Sequence, residues 1–210
     1  TVAEVRAGVA IMMVEPPSDR ARETRSPVSP RYDGDWTATM LDAEGRLGST
    51  IPEELLAGIG LSERQTVVDF GCGPGFLTVP AAKVVGPLGR VYAVDIEQRM
   101  LDVVEARAAD AGVENVSAVL SPGGKTPLAD GIADFVVCGL VIHDAPGPEG
   151  RVELAREAGR MLRSSGRMLV IEWTPQPGDD KSRRMTSEET TRVLLDAGFE
   201  LDEPKPLGNR

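Results

Sequence analysis

Short apolar segments alternate with longer amphipathic segments along the chain from about residue 50 onwards. The apolar segments predict strands over residues 66–70, 90–95, 116–120, 134–138, 167–172 and 199–202. The amphipathic segments predict helices over residues 52–57, 76–85, 97–111, 149–162 and between 186 and 198. Strands that are apolar throughout and separated by helices predict a doubly wound α/β fold with a mostly parallel sheet. Ligands of such sheets bind at the carboxyl ends of the strands.

The first 48 residues have a different composition. Polar residues dominate, and long elements are interrupted by Pro16, Pro17, Pro27 and Pro30. We expect an N-terminal arm or lid over residues 1–48, either a disordered tail or an ordered cap, and one domain over residues 49–210. Residues 7–14 are apolar and follow Arg6, which indicates a mobile arm or a short helix.

The composition of the chain limits which binding partners and which cellular compartment we expect. A net charge of −10 argues against a broad phosphate-binding surface, so nucleic acid is not an expected partner. The longest strongly apolar run, residues 135–142, is far shorter than a membrane span. Two cysteines fit a reducing cytoplasm, and a single histidine excludes a His-rich metal site. The excess of arginine over lysine indicates a GC-rich bacterial genome.

The loop after the first of these strands is rich in glycine. Gly71, Gly73 and Gly75 allow a sharp turn and a close approach of a ligand to the backbone. A nicotinamide-binding loop would place its third glycine at position 76, where this chain has Phe76. The spacing, with Asp69 two places before the first glycine, suits a ligand with an amino acid tail whose ammonium Asp69 meets directly or through water.

The loop after the second strand carries a carboxylate. Asp95 follows Gly71 by 24 positions and can accept two hydrogen bonds from a ribose diol. Ile96 and Met100 come next and are expected to pack on an adenine face. The alternative role for Asp95 is a helix N-cap, which Gln98 would complement.

These two loops and their strands resemble the first two motifs of class I S-adenosylmethionine-dependent methyltransferases, and more narrowly the UbiE-like or type 11 group. The segments are VVDFGCGPGFLTVPAA and VYAVDIEQRML. PLADGIADFVVCGLVIHD and REAGRMLRSSGRMLVIEW are similar to the family's fourth-strand segment and to its next helix and fifth strand. The resemblance covers about residues 48–202.

The resemblance implies S-adenosylmethionine as cofactor and S-adenosylhomocysteine as product, with no metal ion. It implies cofactor-binding roles for Asp69, Gly71, Cys72, Gly73, Gly75, Asp95, Ile96, Met100, Gly123, Gly124, Cys138 and Leu140. One position departs from the family, because Pro122 stands where an acidic residue usually binds the adenine amino group. Adenine would then be held by the backbone at Gly123 and Gly124, by Ser121 or by water.

The loop over residues 138–144 is expected to run under the sulfonium of the cofactor. His143 is the candidate general base, and its alternative role is helix capping or packing beside Asp144.

Arsenite methyltransferases have similar cofactor loops but capture arsenic with several cysteines outside them. Both cysteines of this chain lie within those loops, so arsenic capture is not expected. Trp36 and Trp173 are candidates for lining an acceptor pocket.

We therefore expect methyl transfer to a small-molecule acceptor. The alternative is a non-catalytic module that binds S-adenosylmethionine or S-adenosylhomocysteine. The acceptor, the methylated atom type and the need for a base stay open at this point.

The family's last strand lies between its fifth and sixth strands, and residues 203–210 are poorly suited to form it because they contain two prolines. We expect that the chain continues past Arg210 or that a second copy fills the gap with residues 1–14, as a homodimer. The apolar stretch over residues 9–14 is suited to that role. A short sheet with a loop over its edge is the remaining alternative.

Overall fold

The structure is a computed structural model that describes residues 6–14, 52–123, 125–178 and 184–201. Its strands are β1 (Arg6–Val14), β2 (Thr66–Phe70), β3 (Arg90–Asp95), β4 (Val116–Leu120), β5 (Ala133–Gly139), β6 (Leu162–Trp173) and β7 (Phe199–Leu201). Its α-helices are α1 (Pro52–Gly58), α2 (Thr78–Val85), α3 (Gln98–Asp110), α4 (Gly147–Met161) and α5 (Ser187–Asp196). A short 3₁₀ helix covers Ile142–Asp144.

The seven strands form one sheet in the order β4-β3-β2-β5-β6-β1-β7, and every pairing is parallel. Helices α1, α2 and α3 cover one face, and α4 and α5 cover the other. Buried apolar side chains lie between each helix layer and the sheet. The predicted doubly wound α/β fold is confirmed.

The observed bounds follow the hydrophobic pattern closely. Strands β2, β3 and β4 have the predicted limits, and α5 lies within its predicted range and begins with a capping box between Thr186 and Glu189. Strand β6 begins earlier than predicted, at Leu162, because this residue already pairs with Ala133 of β5. Helix α2 begins at Thr78 rather than at residue 76, because the turns of the glycine loop occupy the residues before it.

The largest correction concerns the N-terminal segment. The prediction of a mobile arm or short helix over residues 7–14 is wrong, because this stretch is strand β1, which lies between β6 and β7. Val9 pairs with Met168 on one side and with Leu201 on the other. A slot between two strands favours apolar, β-competent residues, and Val9 and Val14 are buried there.

The predicted gap in the sheet is therefore filled, and by the chain itself. The expectation that a second copy supplies this strand is wrong, as is the alternative of a short sheet covered by a loop. The remaining part of the predicted arm, Trp36, Gly124 and the proline-containing stretch 203–210 lie outside the described residues. No helix within the described residues has the length and apolar character needed to cross a membrane.

Candidate functional site

The candidate site lies at the carboxyl edge of the sheet. Because all strands are parallel, the loops after β2, β3, β4, β5 and β6 meet at this edge. These loops carry most of the residues that the sequence singled out. The structure describes all of those residues except Gly124.

The three glycines after β2 all have positive φ angles, 74° at Gly71, 51° at Gly73 and 83° at Gly75. A Cβ atom at Gly71 would lie 2.3 Å from Val141, and one at Gly75 would lie 2.9 Å from Val104. At Gly73 a Cβ atom would meet no described atom within 4 Å apart from its chain neighbours. Gly73 therefore borders the open space that a ligand can enter. At Gly71 and Gly75 the lack of a side chain instead leaves room for the packed side chains of Val141 and Val104.

Asp69 lies at the base of this loop and is almost fully buried. Its Oδ2 accepts a 2.6 Å hydrogen bond from Oγ1 of Thr78 at the start of α2. Burial raises the pKa of Asp69 to about 7, the bond from Thr78 lowers it, and the charge of Asp95 raises it. Since the carboxyl group is enclosed, a water bridge is the more suitable of the two predicted routes to a ligand ammonium.

Asp95 joins the first two loops. Its Oδ2 accepts a 2.8 Å hydrogen bond from the N–H of Gly73, and its Oδ1 accepts one of 2.9 Å from the N–H of Glu97. Burial raises the pKa of Asp95, and these two bonds lower it. The N-cap of α3 is Glu97, so the alternative role of Asp95 as the helix N-cap is wrong. Each carboxylate oxygen retains a second lone pair for a diol.

Of the two apolar residues predicted to contact adenine, one is available. Ile96 is 56% exposed at this edge, whereas Met100 is 0% exposed. Met100 lies one turn into α3 with its side chain enclosed by protein, and its contact with adenine stays a prediction.

The two cysteines are inward-facing. Cys72 is buried, and Cys138 lies in the core with its Sγ 4.0 Å from Sδ of Met168. Burial is the main cause that raises the pKa of both thiols, so they are protonated at neutral pH. The ligand contact of Cys138 stays a prediction, and its buried side chain favours a contact through the backbone.

The loop after β4 closes on itself without a carboxylate. Ser121 donates from Oγ to the carbonyl of Lys125 at 2.7 Å, and its N–H donates to the carbonyl of Asp95. Ser121 is buried, so its hydroxyl is part of the turn, whereas Gly123 is exposed. Of the predicted adenine contacts in the described part of this loop, the Gly123 backbone is the most accessible.

The loop after β5 is held against the glycine loop. Leu140 has a positive φ of 60°, an uncommon conformation for a branched residue, and its N–H donates to the carbonyl of Ile171. This bend carries Val141 onto Gly71. His143 follows in the 3₁₀ helix and is buried.

His143 has a partner that the sequence analysis missed. Its Nδ1 lies 2.6 Å from Oε2 of Glu172, near the end of β6, while its Nε2 lies 4.0 Å from Oδ2 of Asp144. The predicted alternative of packing beside Asp144 is therefore secondary to the contact with Glu172. The available signal was a carboxylate at the end of the apolar run RMLVIE.

Two further residues of the site were not predicted. Thr78 holds Asp69, and Arg107 of α3 donates to the carbonyl of Pro74 at 2.8 Å, which fixes the far side of the glycine loop. Thr78 is the first residue of the helix that follows the glycine loop. Arg107 lies 33 residues from Pro74 in the sequence, so no local pattern predicted its contact with the loop. No cluster of potential metal ligands occurs among the residues that the structure describes.

Comparison with known proteins agrees with this geometry. The family model for a methyltransferase domain, type 11, matches residues 68–170. An arsenite methyltransferase of Halobacterium salinarum is 30% identical over 189 residues, and a demethylmenaquinone methyltransferase of Staphylococcus aureus is 28% identical over 125 residues. These alignments cover 83% and 60% of this chain but only 47% and 49% of the relatives, so the chain spans about half their length.

A solved structure supports the same assignment. A SAM-dependent methyltransferase from Aquifex aeolicus has a TM-score of 0.69 and 26% identity, covering 80% of this chain and 89% of its own. The cofactor of this domain is S-adenosylmethionine, and the backbone at Gly73 is open to a ligand, because a Cβ atom there would meet no described atom within 4 Å. Residues 68–170 of this chain form a methyltransferase domain of the type 11 family, within the S-adenosylmethionine-dependent methyltransferases.

Proposed function

We propose that the protein transfers a methyl group from S-adenosylmethionine to a small-molecule acceptor. The observation that carries this proposal is the open space over Gly73, bordered by a backbone whose N–H is already oriented by Asp95. The cofactor supplies a methyl group on a positively charged sulfur, and the chain's task is to hold donor and acceptor in line and to exclude water.

Each residue of the site has a part in that task. The carboxylate of Asp95 would hold the ribose diol, and Ile96 would pack on adenine beside the backbone of Gly123. The Asp69–Thr78 pair at the base of the loop would face the amino acid tail through water. Arg107 would keep the glycine loop in place from α3.

A small molecule is the acceptor class that the charge and the cysteines favour. The overall net charge of −10 opposes a nucleic-acid substrate. Arsenite is disfavoured as the acceptor because the two thiols are buried and protonated, although one relative is an arsenite methyltransferase. With these features we assign the protein to the bacterial cytoplasm.

Calorimetry with S-adenosylhomocysteine tests the cofactor site. The Asp95→Ala variant should bind it more weakly by about 1.5–3 kcal/mol, or roughly 10- to 150-fold, because a hydrogen bond to a charged group is lost. Asp102→Asn, an exposed change on α3, is the matched control and should bind as the original protein does. Unchanged affinity of Asp95→Ala would remove Asp95 from the site.

Labelled methyl groups separate the enzyme from its alternative, a non-catalytic binding module. The protein is incubated with methyl-labelled S-adenosylmethionine and pools of small molecules, and labelled products are identified by mass spectrometry. Transfer to a product supports the enzyme. Tight binding of S-adenosylhomocysteine without transfer in any pool would favour the binding module.

A further inference from the structure

A carboxylate is buried at the end of strand β6. Glu172 is 1% exposed and lies between neighbouring strands, in register with Met13 of β1. An unpaired charge in such a position would be strongly unfavourable. Both of its oxygens instead face His143: Oε2 is 2.6 Å from Nδ1, and Oε1 accepts a 3.3 Å bond from the backbone N–H.

This pairing decides which imidazole nitrogen carries the proton. A carboxylate oxygen accepts, so Nδ1 donates in the arrangement that we infer, and in the neutral ring Nε2 then carries the lone pair. Oδ2 of Asp144 lies 4.0 Å from Nε2, which is beyond hydrogen-bond distance. Arg151 of α4 donates to the backbone carbonyl of His143 at 3.5 Å.

The position of the pair connects it with the transfer site. The 3₁₀ helix that contains His143 follows the bend at Leu140, which brings Val141 against Gly71 of the glycine loop. Strand β6 ends at the same edge of the sheet. The histidine is therefore tied to the loop that borders the donor space on one side and to a buried carboxylate on the other.

We propose that His143 is the general base for the acceptor and that Glu172 is its positioning residue. The acceptor is then one whose nucleophilic atom must lose a proton, such as a hydroxyl group, rather than a thioether or a tertiary amine. The hydroxyl proton passes to Nε2 while the oxygen bonds to the methyl carbon. The carbon–sulfur bond breaks, and its electron pair stays on sulfur. This inference rests on the proposed methyl transfer.

The tautomer of the histidine gives a test that needs no turnover. Because the chain has one histidine, nitrogen-15 labelling of histidine gives a single ring to observe by NMR in the protein without cofactor. We expect the proton on Nδ1 in the original protein and a mixture of tautomers in Glu172→Gln, whose amide can donate as well as accept. Asp134→Asn, which removes a carboxylate at the opposite edge of the sheet, should leave the tautomer unchanged.

A proton on Nε2 in the original protein, or an unchanged tautomer in Glu172→Gln, would overturn the positioning role. Binding of S-adenosylhomocysteine serves as the folding check and should change less than about twofold in Glu172→Gln. If the original protein itself fails to bind S-adenosylhomocysteine, the proposed function is at fault rather than the pair.

Kinetics with the acceptor identified by labelled methyl transfer complete the test. We expect kcat to fall by about 10²–10⁴-fold in His143→Gln, the range for loss of a general base, and by roughly tenfold or more in Glu172→Gln. The KM for S-adenosylmethionine should change little in both variants. Equal rates in the three proteins, or an acceptor that has no proton to lose, would overturn the inference.

Discussion

Gly71 and Gly73 stand two positions apart in one loop, yet alanine should affect them in different ways. A Cβ atom at Gly71 would overlap Val141, so Gly71→Ala should lower the free energy of unfolding by about 1–3 kcal/mol, with a further contribution from its positive φ. Gly73→Ala should cost only about 1 kcal/mol of left-handed strain. It should nevertheless weaken cofactor binding strongly, because the methyl group enters the ligand space.

Urea unfolding and calorimetry with S-adenosylhomocysteine measure the two effects side by side. Each glycine serves as the control for the other, since both are in the left-handed region and both receive the same methyl group. Normal cofactor affinity in Gly73→Ala would show that the space beside this residue is not the cofactor site.

Asp69 should make the fold less stable as the pH rises. Its pKa is raised from 3.8 to about 7 in the folded protein by burial. Below pH 4 both states are protonated; between pH 4 and 7 the unfolded state releases its proton while the folded state keeps it, so stability falls. The loss is at most about 4 kcal/mol and is complete above pH 7.

The Asp69→Asn variant removes this titration and retains an oxygen for the Thr78 hydroxyl. Urea unfolding of both proteins from pH 4 to 8 should show the variant gaining stability relative to the original as the pH rises. Asp102→Asn, an exposed substitution, controls for a general effect of charge. Parallel stability curves for the original and the Asp69→Asn protein would contradict the prediction.

Single residues were predictable where a backbone requirement fixes the residue type. Glycines with positive φ and a carboxylate at a strand end have local signatures, so Gly73 and Asp95 could be recognised from their spacing. Burial of one side chain has no such signature. Met100 and Cys138 are in the right loops by sequence, but their side chains face the protein interior. The pairing of His143 with Glu172 joins positions 29 residues apart, which local reasoning could not bring together.

At the scale of elements, the limits of β2, β3 and β4 were predictable because each is a short β-branched run with a turn after it. Strand β1 was not, although its sequence, RAGVAIMMV, is equally apolar. An apolar run of this length has the same pattern in an arm, a short helix or a strand. Its position is determined by pairing with β6 on one side and β7 on the other, and these strands come together only when the sheet forms.

At the scale of the whole molecule, strand β1 is inserted between the last two strands of the sheet, β6 and β7. Within the described residues β7 pairs with the sheet only through β1, and α5 contacts β1, β7 and α4. The loops that border the proposed cofactor site instead follow β2, β3, β4 and β5 on the other side of β6. Strand β1 therefore connects the last helix–strand unit to the part of the sheet that carries the proposed site.

Removal of residues 1–14 should consequently release α5 and β7 and spare the remainder of the sheet. Hydrogen exchange by mass spectrometry should become about 100-fold faster or more in α5 and β7, while β2, β3 and β5 stay within about tenfold of the original, because locally stabilised units open separately. Removal of residues 1–5 alone, ahead of the strand, is the matched control. If α5 and β7 keep their protection after removal of residues 1–14, then β1 does not stabilise them. If protection is lost equally in all strands, the sheet opens as one unit.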